Sequence, residues 1–155
     1  MNKKAFAIFF VPGKPVAKGR PRATVVGGHA RMYTPERTAR YEEVVSREYI
    51  AQCGNTVFQA GTPLAVQIIA YMPTPKSTSK VKREKMLRGE IPYTKKPDWD
   101  NIGKIICDAL NGVAWYDDAQ VVRATVSKQY AADDAVGVQV CIQEVRHDEA
   151  NPLDA

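Results

Sequence analysis

Residues 96–122 read KPDWDNIGKIICDALNGVAWYDDAQVV, and within them Ile102, Ile105, Ile106, Ala109, Leu110 and Val113 recur at helical spacing. That periodicity predicts a short amphipathic helix whose opposite face carries Lys104, Asp108 and Asn111. Asp98 and Asp100 stand at its entry. Asn111-Gly112 is a stop signal, and a turn containing Trp115 and Tyr116 leads to Asp117-Asp118, just ahead of a strand-like run from Ala119 to Lys128. A helix that returns into a strand can bring its two acidic ends together. Carboxylates gathered in this way suit a hard divalent cation such as Mg²⁺.

Each of these residues also has a plain structural role. An aspartate before a helix is a favoured N-cap and interacts well with the helix dipole. Asp117-Asp118 suits a turn, and Asp108 can pair with Lys104 one helical turn away. What favours chemistry is the grouping of acids at both ends of one short helix. Hydrolysing a phosphodiester needs an activated water and neutralisation of charge on the phosphoryl and leaving oxygens, and carboxylate-held Mg²⁺ supplies both. Lys104, one turn beyond Asp100, could contact the scissile phosphate. It could equally be a salt-bridge partner of Asp100 or Asp108.

The basic residues lie mostly upstream. The net charge is +5, and residues 1–104 hold 19 of the 22 Lys and Arg but 8 of the 17 Asp and Glu, so a polyanion would meet its attraction before the acidic helix. Two segments concentrate the charge. Residues 14–22, KPVAKGRPR, place Lys14, Lys18, Arg20 and Arg22 on a loop stiffened by Pro15 and Pro21, a composition suited to tracking phosphates. Residues 76–96 carry Lys76, Lys80, Lys82, Arg83, Lys85, Arg88, Lys95 and Lys96 straight into the acid cluster. Arg31, Arg37 and Arg40 extend this surface, while Tyr33 and Tyr41 read as core or hinge aromatics.

The rest of the chain frames the helix. A strand is expected from Ala5 to Val11, then a basic loop to Pro35 with a short hairpin at Gly27-Gly28, then a helix from Thr34 or Pro35 to Cys53 with apolar side Tyr41, Val44, Val45, Tyr49 and Ile50. Leu64 to Met72 alternates as a strand, Ser77 to Leu87 reads as a charged helix, and strands are expected at 119–130 and 136–145. Such an order predicts an α+β domain, a mixed sheet of about four strands with helices packed on it, spanning residues 1–146 and followed by a flexible tail at 147–155. Cys53, Cys107 and Cys141 are odd in number and lack CxxC spacing, which argues against a disulfide framework or zinc site. With no cleavage pattern at the amino terminus and no apolar run of membrane length, a soluble, cytoplasmic protein is expected.

The 96–122 stretch carries a resemblance. KPDxDNxxKxxxDALNGxxxxDDxQV is similar in spacing and identity to the signature of the RusA family of Holliday junction resolvases. VPGKPVAKGRPR (11–22) and RMYTPERTARYEE (31–43) resemble the amino-terminal half of its phage-type branch. The resemblance implies metal ligands at Asp98, Asp100 and Asp118, an essential lysine at Lys104, and supporting roles for Asn101, Asp108 and Asp117. It further implies a homodimer that binds four-way DNA junctions and, with Mg²⁺ or Mn²⁺, cuts strands of like polarity in pairs. Two rivals are a less selective flap or fork nuclease and a junction-binding accessory protein that does not cut.

Overall fold

The computed structural model describes residues 5–54 and 56–146; the expected tail at 147–155 lies outside the described residues. Its strands and helices run β1 (Phe6–Pro12), β2 (Arg22–Val26), β3 (His29–Tyr33), α1 (Glu36–Cys53), β4 (Leu64–Pro73), α2 (Lys80–Leu87), α3 (Trp99–Leu110), β5 (Val121–Ala131) and β6 (Gly137–Glu144). The fold is α+β, as expected, with a four-stranded mixed sheet in the order β1-β6-β4-β5 and a separate two-stranded ribbon of β2 and β3. β6 runs antiparallel to both its neighbours, and β4 and β5 are parallel.

Strand alternation builds the core. Side chains of a strand point to opposite faces in turn, and the register aligns Ala7, Ile142 and Val66 in one row, Phe9, Val140 and Ile68 in the next, and Val11, Val138 and Ala70 in a third. All nine are buried. Against this face pack the apolar stripes of α3 (Ile102, Ile105, Ile106, Ala109, Leu110) and α1 (Tyr41, Val45, Tyr49). Ile50, expected on the apolar side of α1, is instead 48 % exposed. The opposite face of the sheet leaves Phe6 and Ile8 about half exposed.

Two local features place α3. Gly103 faces β5 so closely that a Cβ there would sit 3.1 Å from Val126 Cγ2, so the missing side chain lets the helix lie down on the strand. Ser46 of α1 donates from Oγ to the Ala109 carbonyl at 2.9 Å, fixing the two helices to each other. The long connection between the parallel strands β4 and β5 therefore carries α2, α3 and the acidic turn as one crossover on the sheet.

The amino-terminal loop closes over the far side. Lys18 N–H donates to the Asn101 carbonyl at 3.1 Å, and Gly19 N–H donates to Thr38 Oγ1 at 3.0 Å. A Cβ at Gly19 would meet that hydroxyl at 2.7 Å, so the loop can be seated on α1 only by glycine. Tyr41 is buried as expected of a core aromatic, but Tyr33 stands exposed on the ribbon.

Candidate active site

The polar face of α3 presents Asp100, Lys104 and Asp108 in line, one helical turn apart. Asp98 is the N-cap residue, but its carboxylate makes no capping bond. Both its oxygens instead accept from Lys96 Nζ at 2.8 Å. This hydrogen bond, with the charges of Lys96 and Lys128 added, holds the Asp98 carboxyl below its usual range. Asp100 is exposed in the first turn and makes no ion pair among the described residues.

Asp108 is the hub of an ionic network. It accepts from Lys104 Nζ at 2.8 Å and pairs with Lys18 Nζ at 2.9 Å, and Lys18 also donates to Glu42 Oε1 at 2.5 Å. Burial pushes the Asp108 carboxyl up, but the hydrogen bonds from Lys104 and Lys18 outweigh it and the group titrates below its ordinary value. Lys104 is raised, chiefly by its bond to Asp108, and the charge of Asp118 adds to the effect. The same charge also acts on Cys107, in the next turn of α3.

Lys18, expected from its loop composition to contact phosphates, is turned inward in this structure. It is four-fifths buried and joins the basic loop to α1 and α3 through two carboxylates. An acid whose pKa is lower when folded than when unfolded stabilises above its unfolded value, 3.8 for Asp108, and loses that contribution as pH falls through the folded value. Lys18→Met is thus expected to cost about 1–2 kcal/mol at pH 7, the loss of charged hydrogen bonds at a partly buried site. Urea unfolding at pH 7 and pH 3 checks it: the gap between variant and native should narrow at the lower pH, and an equal gap at both would refute the network.

The turn after α3 fixes Asp118. Trp115, fully buried, donates from Nε1 to Asp118 Oδ1 at 2.9 Å. Gln120 locks the same turn, accepting from the N–H groups of Tyr116 and Asp117 and donating to the carbonyls of Gln59 and Thr62. Asp117 caps the short 3₁₀ turn at 118–120, accepting from Ala119 N–H at 2.9 Å, so its carboxylate serves the backbone. On the other side of the site, Lys128 of β5 donates to the carbonyls of Lys95 and Pro97 and holds the loop that leads to Asp98. Lys128 has no signal in the sequence, and Gln120 is marked only as the Gln of the DDxQV end of the signature, with nothing to show its locking role. Trp115 is the one with a physical signal, since a buried indole N–H needs an acceptor and the adjacent aspartates offer one.

Among the described residues no three His, Cys, Asp or Glu side chains converge as a ready-made metal cluster. Yet the donors suit a hard cation: Asp98, Asp100 and Asp118 offer only carboxylate oxygens. Cys107 is the nearby soft donor, and burial, reinforced by the charges of Asp118 and Asp108, pushes its thiol up to about 11, so it stays protonated. Asp98, Asp100 and Asp118 are the carboxylates that could hold a divalent ion.

Of the other basic residues, Arg83 is committed to structure, donating to Thr74 Oγ1 and the Pro75 carbonyl. Lys80, Lys82 and Lys85 are exposed on α2, as are Lys76 and Lys95 on the flanking loops. Lys14, Arg20, Arg22, Arg37 and Lys96 line a groove of about 620 Å³ that ends at Asp98 and Asn101.

Comparison with known proteins decides the family. The family described as "Endodeoxyribonuclease RusA" matches residues 12–143, the whole span from the end of β1 to the end of β6. The chain belongs to the RusA family. It is also similar to a Bacillus subtilis (strain 168) protein described as "Uncharacterized protein YqaN", 37 % identical over 139 residues, which cover 88 % of this chain and 95 % of that relative. RusA proteins are endodeoxyribonucleases that resolve Holliday junctions, and the RusA match includes Asp98, Asp100, Lys104 and Asp118. No helix among the described residues is long and apolar enough to cross a membrane.

Proposed function

We propose that this protein cuts four-way DNA junctions in a divalent-metal-dependent reaction, with Mg²⁺ as the natural ion and Mn²⁺ able to replace it, making paired symmetric nicks as a homodimer. The observation that carries the reading is the arrangement on and around α3: Asp100 exposed at its start, Lys104 one turn on, Asp98 at the cap and Asp118 in the following turn, fixed by Trp115. Asp98, Asp100 and Asp118 would hold the ion. Bound there, it would supply Lewis acidity and an activated water.

The chain's own groups account for the rest. Lys104 is kept cationic by Asp108 and is 62 % exposed, so it can meet an incoming phosphate and stabilise developing charge. Asp108 acts through Lys104 as a positioning residue. One oxygen of Asp118 is occupied by Trp115, which leaves the other for the site. The groove lined by Lys14, Arg20, Arg22 and Arg37 is a cationic approach to Asp98. A junction with two-fold symmetry needs two matched cuts, which two copies supply, and the open sheet face with Phe6 and Ile8 is the surface a second copy would cover.

Incubation with a synthetic immobile junction, beside linear duplex, flap and fork controls and with or without Mg²⁺, tests the reading. Paired nicks confined to the junction are the expected result. Equal cutting of flaps and forks would favour a general branched-DNA nuclease, and binding without cutting would favour an accessory protein. A further expectation concerns α2: replacing Lys80, Lys82 and Lys85 together with glutamine should weaken binding to all DNA and flatten its salt dependence by about 0.9 in slope for each phosphate no longer neutralised. Measured affinities between low and moderate salt decide this, and an unchanged slope would leave those lysines to solvent.

A further inference from the structure

Apart from Arg22, which lines the basic groove, the β2–β3 ribbon has no part in the ionic network or the acid site, yet it is the most exposed element of the protein. All ten of its strand residues are exposed, and Gly27 and Gly28, with φ of 59° and 78°, form the two-residue turn that joins them. A two-stranded ribbon alone is marginal in water, so a ribbon with no covering element is built to be covered by something else.

Register sorts its side chains. Arg22 pairs with Tyr33, Thr24 with Arg31 and Val26 with His29, which puts two arginines, a histidine, a hydroxyl and a phenol on one face, with Val26 the one apolar side chain among them. Ala23 pairs with Met32 and Val25 with Ala30, and the second face is wholly apolar. Val25 is 73 % and Met32 67 % exposed. Arg22 and Arg31 form no ion pair among the described residues, and the polar face continues through Arg22 and Arg20 into the basic groove that ends at Asp98. Charge complementarity therefore selects DNA as what meets the polar face.

The apolar face answers a different need. Linear duplex and branched DNA present the same phosphates, so cationic contacts bind both and cannot tell them apart. A branch point differs in exposing the flat faces of base pairs that have lost a stacking neighbour, and apolar side chains inserted at base steps are a known means of engaging such faces. We propose that the β2–β3 ribbon is the branch-reading element: Arg22, Arg31 and His29 lie on the phosphates of one arm while Val25 and Met32 cover the unstacked base pair at the crossover. The inference rests on the reading that the substrate is branched DNA.

The test compares the native chain with Val25→Ser/Met32→Ser and with Arg22→Gln/Arg31→Gln. Each is titrated against an immobile junction carrying 2-aminopurine beside the branch point and against linear duplex of matching sequence. The serine pair should lower the junction-to-duplex affinity ratio about tenfold, the scale of one base left uncovered, and abolish the 2-aminopurine fluorescence change while duplex affinity and melting temperature stay native. The glutamine pair should weaken both affinities and flatten the salt slope by about 1.8. A ratio and fluorescence change that persist in the serine pair would overturn the ribbon's role and leave the proposed function standing. So would a change in the particle mass of that variant, which would make the apolar face a contact between protein copies. A native protein with no preference for the junction would overturn the proposed function itself, and the ribbon's role with it.

Discussion

Asp100→Asn is expected to lower the single-turnover cleavage rate by at least about a hundredfold, the scale seen when one charge-stabilising group is removed from an active site, while junction binding holds or tightens. The side chain is exposed in the first turn of α3 and forms no ion pair among the described residues, so its replacement disturbs no packing. Removing a negative charge from a phosphate-binding site also lessens repulsion. Asparagine keeps the shape but is a poorer ligand for a hard cation than carboxylate. Gel shift and single-turnover cleavage on the same preparation decide the matter, and near-native nicking would remove Asp100 from the site. Lys104→Ala should share the loss of rate with little change in stability, because the lysine is mostly exposed and exposed substitutions usually change stability by about half a kcal/mol.

The largest effect on stability is expected at Trp115. It is fully buried, and truncating a large aromatic in a core costs about 3–5 kcal/mol, enough to unfold a domain of ordinary stability. Trp115→Ala should therefore show a collapsed denaturation midpoint. Trp115→Phe separates packing from orientation, because it keeps most of the bulk and removes only the donor to Asp118 Oδ1. We expect that variant to remain folded and to lose about ten- to a hundredfold in cleavage, the usual consequence of removing a group that orients a ligand. Native cleavage by a folded Trp115→Phe protein would show that Asp118 needs no such support.

The elements nearest the site were legible because their periodicities are strong. The stripe of Ile102, Ile105, Ile106, Ala109 and Leu110 marks α3, and alternation along Leu64 to Met72 marks β4, since in both cases one face is buried and the other is not. Long-range pairing leaves no such local trace. Lys18 reads as one more cation in a basic loop, and only the fold reveals that Glu42, 24 residues away, and Asp108 neutralise it. Arg83 looks interchangeable with Lys82 and Lys85 until Thr74 and Pro75 claim it. The acids around α3 could be grouped from their spacing, but the turn of Asp98 towards Lys96 depends on a side-chain rotamer that spacing does not encode. Strand order was also out of reach, because alternating strands of similar composition do not declare their neighbours.

β6, the last strand among the described residues, lies in the middle of the sheet. During synthesis, β1 leaves the ribosome early and waits for a partner that pairs Ala7 with Ile142, and β4 keeps one edge open for the same strand. Contacts of such sequence separation form slowly. The helix bearing Asp100 and Lys104 thus has no finished floor to rest on until β6 has been made. A chain cut short of Gly137 lacks the strand that joins β1 to β4, and with it the completed sheet beneath α3.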